Sequence, residues 1–380
     1  MELVLTEDQE LIAKTARDFA DERSPVSRMR ALCDSADPLG FSPALWKEMA
    51  ELGWLGIPFP EELGGAGMGF AELAIVLEAM GRNLAPDPFL SSVLLAGQTL
   101  LQAGSPEQQQ EWLTLLLKGE KQLALAYQEP RSRYDVHRVS TAALKTSKGW
   151  TLRGEKLHVL GGRAADALVV SARSSGHESD PQGISLFLVE LCAKGLHVES
   201  QTRMDAHASA VIRLDDVEVG AQALLGKEGQ GGDVLERVVD RATVGLCAEM
   251  LGGMSAAFDL TLAHLKEREQ FGVPIGSFQA LKHRVARVFI EIELARSCVM
   301  TAARAVDEDL PDLAKLVSLA KARCSDAYLL AGNEGVQLFG GVGMTDEYDI
   351  GLYLKRARAA ELTFGDAAWH RDRWARLSGY

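Results

Sequence analysis

The chain has 380 residues, enough to bury a large core and to divide into two or three domains. Its hydrophobic content of 47% and its charged content of 24% are typical of a folded soluble protein and exclude a disordered one. A formal net charge of -13 opposes binding to a polyphosphate backbone, so no nucleic-acid partner is predicted.

The sequence predicts a cytoplasmic protein without a membrane partner. The residues from Met1 to Asp8 lack a basic stretch followed by an apolar one, so no signal peptide is expected. No uninterrupted apolar run approaches the ~20 residues that span a bilayer. The five cysteines form no CxxC pair, and their odd number favours a reducing compartment over a disulfide framework. No metal site is predicted.

Residues 1–120 are predicted to form an N-terminal helical domain. Thr6 followed by Gln9 is a capping-box pattern, and apolar residues then recur at helical spacing. Further helices are predicted at 43–52, 69–80, 89–103 and 106–117. The Gly-rich stretch at 53–67 is predicted to be an interhelical loop, because it lacks the flanking strand of a nucleotide-binding turn.

The hydrophobic period changes at Lys121, and the fold class is predicted to be α+β. Short apolar or alternating runs separated by turn residues predict a central β-domain at 121–228, a small barrel or sandwich. Its strands are predicted at 122–127, 139–144, 150–160, 167–172, 184–191 and 210–214. From 229 to 380 the helical period returns and predicts a C-terminal four-helix bundle. Its helices are predicted at 233–269, 278–306, 313–338 and 366–377.

Two segments of the C-terminal region carry residue types that suit phosphate binding. Arg268 presents a guanidinium, whose fork of donors matches phosphate oxygens. Gln337–Gly341 ends in Gly340 and Gly341, where backbone N–H groups can approach a ligand without a Cβ in the way. Taken alone, the same residues also fit a surface ion pair and a helix-ending turn.

The order and spacing of these segments resemble the acyl-CoA dehydrogenase family over essentially the whole chain. Leu5–Gln9 and Leu52–Pro58 match the family, and the most specific matches are Arg268–Gln279 and Gln337–Met344. The resemblance implies a flavoenzyme that removes an α-proton from an acyl-CoA thioester while the β-hydride passes to FAD. It also implies electron-transferring flavoprotein as the acceptor.

In that family the flavin lies between the β-domain and the C-terminal bundle, and a neighbouring subunit holds the FAD diphosphate and adenosine. The resemblance therefore implies a set of cofactor-binding residues here. They are Arg268, Gln270, Phe271, Phe278, Gln279, Gln337, Gly340 and Gly341.

The segments that face the flavin ring in the family depart from its pattern. The family loop Thr-Glu-Pro-Gly-x-Gly-Ser-Asp is here Gln128–Asp135, with Arg131 and Arg133 in place of the glycines. In the family segment Lys-x-Trp-Ile-Thr-Asn-Gly, His158 replaces the Trp and Leu160 replaces the Thr. A strand histidine in a former Trp position is predicted to be structural and not a catalytic base.

The expected base is also missing. Many family members carry it as Glu in a Tyr-Glu-Gly-Thr segment, which Thr363–Asp366 matches with Phe364 at the Glu position. Other members place it on the long helix before the Arg motif, and counting back from Arg268 leads to Ala242. Neither side chain can accept a proton, so no catalytic residue is assigned.

Asp366 is the nearby carboxylate that could act as a relocated base. It lies two residues from the expected position, which turns it roughly 200° away on a helix. Because it precedes Ala367–Arg371, an N-cap is the favoured interpretation. Asp240 and Glu249 are predicted to be solvated or paired surface charges. The arginines between 356 and 376 are interleaved with acids and are predicted to line a solvated helix face.

The leading hypothesis is the base-lacking subunit of a heteromeric, FAD-dependent acyl-CoA dehydrogenase, partnered with a base-carrying subunit in a heterotetramer. Some bacterial family members that act on steroid side chains or dicarboxylic acyl groups are built in this way. One alternative is a self-sufficient homomeric dehydrogenase with a relocated base such as Asp366. Another is a non-catalytic scaffold of the same fold.

Overall fold

The structure is a computed structural model that describes residues 5–35, 37 and 39–380. The described chain divides into two units. The helical unit comprises the described residues of Met1–Ala31 with Gly69–Ala85 and Thr243–Tyr380, and the sheet unit those of Leu32–Met68 with Pro86–Ala242. This grouping is discontinuous along the sequence, whereas the predicted domains are continuous.

The helices match the predicted ones closely in position. They are α1 (Glu7–Arg23), α2 (Val26–Ser35), α3 (Pro43–Glu51), α4 (Phe70–Arg82), α5 (Gln98–Ala103), α6 (Pro106–Leu117), α7 (Gly231–Glu267), α8 (Gln279–Asp307), α9 (Leu313–Phe339), α10 (Ile350–Leu362) and α11 (Ala367–Leu377). The sequence analysis did not predict α2 and α10. The helix predicted at 89–103 begins as a π-helix over Phe89–Gly97 and continues as α5.

The first helix begins where its capping box predicted. Thr6 Oγ1 accepts a hydrogen bond from the backbone N–H of Gln9 at 3.2 Å, and Gln9 Oε1 accepts one from Thr6 N–H at 3.1 Å. The start of α4 is capped from another helix instead. The carboxylate of Asp307 accepts from the backbone N–H groups of Phe70 at 2.6 Å and Ala71 at 3.0 Å. Side chains therefore satisfy some of the free N–H groups at the N-termini of both helices.

The sheet unit contains a mixed sheet. Its strands are β1 (Leu123–Ala126), β2 (Ala142–Thr146), β3 (Gly149–Leu160), β4 (Ala167–Arg173), β5 (Ile184–Glu190), β6 (Leu196–Gln201), β7 (Ser209–Gly220) and β8 (Leu224–Leu225). The order is β6-β7-β3-β2-β4-β5-β8, and β1 pairs in parallel with β4. The core beneath it includes the edge-to-face pair Trp150 and Phe187, with ring centroids 5.3 Å apart. The sequence missed β6, whose residues are mostly exposed and polar.

Glycines let α4 and α7 approach closely within the helical unit. A Cβ on Gly81 would lie 2.1 Å from the carbonyl oxygen of Glu249, and one on Gly252 would lie 1.9 Å from that of Glu78. The helix α7 continues through the Gly252–Gly253 pair without a break.

One described helix, α7, is long and apolar enough to cross a membrane by length and composition alone. However, 67% of its apolar window is buried inside the protein, as in a core helix of a folded domain. The chain-order architecture of N-terminal helices, middle β-sheet domain and C-terminal helices confirms the predicted α+β fold class.

Candidate cofactor-binding surface and the position of the expected base

The Arg268 segment forms a hairpin and not the end of a helix. The prediction that the long helix reaches Glu269 was wrong, because α7 ends at Glu267. Strands β9 (Glu269–Gln270) and β10 (Val273–Pro274) then pair antiparallel. Phe271 and Gly272 connect them with φ values of 57° and 80°, as a two-residue hairpin turn requires. Phe271 therefore stands at the hairpin tip, where it is 92% exposed.

His264 links the hairpin to the Gln337 segment, a role that the sequence analysis did not predict. Its imidazole stacks on Phe339, with ring centroids 4.2 Å apart. Phe339 follows Gln337 by two residues, and His264 precedes Arg268 by one helical turn. Burial and the nearby Arg268 charge lower the pKa of His264. The two phosphate-type motifs therefore lie at the same end of the helical unit.

The eight predicted cofactor-binding residues are exposed in the helical unit. Phe278 is 39% exposed and packs edge to face against Phe271, with ring centroids 6.1 Å apart. Within the described residues, Arg268 forms no side-chain hydrogen bond or ion pair. Exposed aromatic rings beside an unpaired cation are typical of a surface that contacts a ligand or partner.

Gly340 ends α9 in a backbone conformation that glycine adopts most readily. Its φ is 72° and its ψ is -144°. A Cβ on Gly340 or Gly341 would meet nothing within 4 Å, so the backbone here is open on the outside. Open backbone and an exposed guanidinium at the same end of the helical unit form a donor set that suits a diphosphate group. These residues therefore fit the phosphates of FAD.

Phe364, at the expected base position, lies in a turn that is closed by internal hydrogen bonds. Its side chain is 5% exposed and its φ is 61°. The buried ammonium of Lys321 donates to the backbone carbonyls of Glu361 at 2.9 Å and Gly365 at 2.7 Å. His370 Nε2 lies 3.2 Å from the carbonyl oxygen of Phe364. No proton acceptor occupies the side-chain position of a base.

Lys321 and His370 were not recognised in the sequence. Burial lowers the pKa of Lys321 to about 8. Burial, with the charges of Lys321 and Arg373, lowers the pKa of His370 to about 3. His370 is therefore neutral near pH 7, and its Nε2–H donates to the Phe364 carbonyl. A lysine in the apolar stripe of a predicted helix was the one available signal.

Asp366 is the N-cap of α11, as favoured from the sequence. Its Oδ1 accepts a hydrogen bond from the backbone N–H of Trp369 at 2.8 Å. The carboxylate is thus engaged in closing a helix end.

The other position at which family members carry the base is also apolar. Ala242 on α7 is fully buried. The expectation that Asp240 and Glu249 are solvated or paired surface charges was wrong for the exposure of Asp240 and right for the pairing of Glu249. Asp240 is buried, and Glu249 pairs with the buried Arg356, whose Nε lies 2.7 Å from Glu249 Oε1. Arg373 is buried as well, so the C-terminal arginines do not all line a solvated face.

In the sheet unit, the altered loop is fixed by a buried ion pair. Lys156 Nζ lies 2.7 Å from Glu129 Oε1 and 3.0 Å from Ser171 Oγ. Burial opposes ionisation of Glu129, but Lys156 and neighbouring donors outweigh it and lower its pKa to about 2. The side chains of Arg131 and Arg133 on the same loop are exposed.

His158 lies at an irregular position of β3, between the paired residues Lys156 and Val159. Its φ is 51°, and its backbone N–H donates to Gln201 Oε1 at 3.1 Å. The imidazole is exposed, so it does not fill a core position in the manner of the family's Trp.

Models of three domains match nearly the whole sequence. "Acyl-CoA dehydrogenase, N-terminal domain" matches residues 6–120, "Acyl-CoA dehydrogenase, middle domain" matches 124–217, and "Acyl-CoA dehydrogenase, C-terminal domain" matches 229–378. The chain belongs to the acyl-CoA dehydrogenase family, whose members are oxidoreductases that act on CH–CH groups, and its cofactor is FAD.

Three similar proteins place the chain within that family. The probable acyl-CoA dehydrogenase YngJ of Bacillus subtilis is 31% identical over 377 residues, covering 98% of each chain. A ChsE4-ChsE5 complex from Mycobacterium tuberculosis includes a chain that is 28% identical, with a TM-score of 0.89 and full coverage of both chains. A Tcur3481-Tcur3483 steroid ACAD variant includes one that is 31% identical, with a TM-score of 0.86 and 98% coverage of each.

Proposed function

We propose that the chain is the base-lacking subunit of a heteromeric, FAD-dependent acyl-CoA dehydrogenase located in the cytoplasm. The observation that carries this proposal is the closed turn at Phe364. A benzyl group stands where the family's carboxylate is expected, and Asp366 is engaged as a helix cap. A base-carrying partner subunit would then perform proton abstraction.

This chain's own contribution is to hold the cofactor across the subunit interface. When bound, FAD accepts the hydride that leaves the β-carbon of the acyl group. Arg268 would pair with the diphosphate, and the backbone at Gly340 and Gly341 would donate N–H groups to it. Gln270, Gln279 and Gln337 supply amide donors and acceptors. Phe271 and Phe278 cover the cofactor's apolar edges, in keeping with their exposure in this chain.

The similarity to two heteromeric neighbours supports the assembly. One is described as a ChsE4-ChsE5 complex and the other as a Tcur3481-Tcur3483 steroid ACAD. Steroid side-chain CoA thioesters are therefore the first substrates to test. Electron-transferring flavoprotein is the acceptor proposed for the assembly.

The decisive experiment expresses the chain alone and together with a dehydrogenase chain from the same source. Bound FAD and acyl-CoA-dependent dye reduction are measured in both preparations. We expect flavin and turnover only in the co-expressed complex. Stable flavin binding and turnover by the lone chain would contradict the proposal of a heteromeric enzyme. Within the complex, Arg268→Ala should lose FAD, whereas Arg153→Ala, which removes an exposed arginine from β3, should retain it.

The alternative of a self-sufficient enzyme rests on Asp366 and has its own test. Asp366→Asn removes the carboxylate but preserves N-capping, because Asn and Asp cap helices about equally well. We expect turnover of the complex to be nearly unchanged. A fall of about 100-fold or more, with folding and flavin retained, would assign the base to Asp366.

A further inference from the structure

A cavity of about 260 Å³ lies within the helical unit, lined by residues of α1, α4, α7 and α8. None of the residues that line it is among the eight predicted cofactor-binding residues. Along α1, the residues Gln9, Ala13 and Arg17 face it at intervals of four, which places them on one side of the helix. The cavity is therefore built by facing stripes of packed helices.

Small side chains create the space. Five alanines line the cavity, namely Ala13, Ala71, Ala74, Ala79 and Ala303. Larger apolar residues, including Leu251, Val299 and Met300, complete its walls. Its walls suit an aliphatic chain better than a polar body.

Four arginines line the cavity, and among the described residues one of them, Arg17, has no hydrogen-bond or ion-pair partner. Arg296 pairs with Glu78 at 2.7 Å, and Arg82 pairs with Asp259 at 2.8 Å. Arg304 also has an interaction partner. Among the described residues, the exposed Arg17 makes no side-chain hydrogen bond and no ion pair. The unpaired charge is thus a single guanidinium beside an apolar cavity.

We propose that this cavity binds a medium-chain aliphatic monocarboxylate. The hydrocarbon chain lies among the alanines, and the carboxylate pairs with Arg17 through the fork of guanidinium donors. One unpaired cation selects a monoanion over a dianion. Apolar walls select a hydrocarbon over a sugar or a nucleotide. The ligand differs from the acyl-CoA of the proposed reaction because it needs neither CoA nor FAD.

Calorimetric titration of the full chain with octanoate tests the proposal, with octylamine as a probe of equal length and opposite charge. We expect octanoate to bind and to raise the melting temperature, because a ligand that binds only the folded state stabilises it. Octylamine should do neither. Binding of octylamine as tight as that of octanoate, or no octanoate binding at millimolar concentration, would overturn the proposal.

Two variants locate the site. Arg17→Gln should weaken octanoate binding about tenfold, whereas Lys14→Gln, on an exposed part of the same helix, should leave it unchanged. Ala74→Leu fills part of the cavity and should abolish binding. Should Ala74→Leu fail to fold, Arg17→Gln decides the question, since its side chain is exposed. Octanoate affinity that is unchanged in Arg17→Gln would contradict the assignment. Because no acyl-CoA or partner is present, the result is independent of the dehydrogenase proposal.

Discussion

The segments that face the flavin ring in this family differ in character from the segments that hold its phosphates. Beside Phe364 the backbone carbonyl of Gly365 accepts a hydrogen bond from the buried Lys321, and in the sheet unit the buried Glu129 carboxylate accepts one from Lys156. At Arg268 and Gly340, by contrast, polar groups and backbone are exposed and open. The buried segments form their hydrogen bonds within the chain, whereas the exposed segments have donors that can bind a ligand or a partner.

This contrast teaches that the chain has not simply lost function around the flavin. A decayed site would leave the backbone carbonyls of the turn at the expected base position without donors. Instead, the Phe364 turn keeps a positive φ and two carbonyls bound by one buried ammonium. Phe364 is therefore held in an ordered turn at the position where the family resemblance leads one to expect the base. The contrast can be tested by comparing what each region contributes to folding stability.

The largest expected effect is at the closed loop of the sheet unit. Lys156→Met should lower the free energy of unfolding by about 3–5 kcal/mol, because it leaves the Glu129 carboxylate buried without its counter-ion. Chemical denaturation measures this directly. The matched control is the double variant that adds Glu129→Gln, which strands no charge and should cost less. A loss of unfolding free energy below about 1 kcal/mol for Lys156→Met would show that Lys156 and Glu129 do not form a buried ion pair.

The second effect concerns pH and the closed turn at Phe364. The pKa of His370 is about 3 in the folded chain, against an ordinary value of 6.5. Because the folded pKa is lowered, its stability contribution is complete above pH 6.5 and is lost as pH falls towards 3. The loss should be roughly 1.4 kcal/mol per pH unit within that window.

The variant His370→Gln isolates this effect from the other titrating groups. The difference in unfolding free energy between wild type and variant should shrink by about 2 kcal/mol between pH 7 and pH 5. His158 and His264 also have lowered pKa values, but they titrate equally in both proteins. A difference that stays constant across this range would mean that His370 is not held neutral by its surroundings.

Whether a contact could be predicted from the sequence depends on how far apart along the chain its two residues lie. The capping box at Thr6 and the N-cap at Asp366 depend on residues three apart, and both predictions were confirmed. The hydrogen bond from Lys321 to Gly365 joins residues 44 apart, and no local sequence pattern indicates it. The pairing of Glu249 with Arg356 spans 107 residues, so the sequence could not identify Arg356 as the partner.

The hairpin after α7 was missed for a different reason. Its two turn residues adopt positive φ, yet they are Phe271 and Gly272 and not the Asn-Gly or Asp-Gly that marks such turns. The preceding sequence continues a helical pattern, so a helix was predicted through Glu269. The motif was placed correctly in the chain, but its shape, which exposes Phe271 at a tip, depends on the fold around it.

The smallest effect on folding is expected at this open surface. Phe271→Ser should change the free energy of unfolding by no more than about 0.5 kcal/mol, because a ring that is 92% exposed buries little area within the chain. Retention of FAD by the co-expressed complex should fall, since that ring is proposed to be covered only there. Leu11→Ser, at a residue that is 65% exposed on α1, is the control and should alter neither quantity. Loss of stability in the lone Phe271→Ser chain would mean that the ring serves this chain's own fold, and the division into closed and open regions would fail at the hairpin.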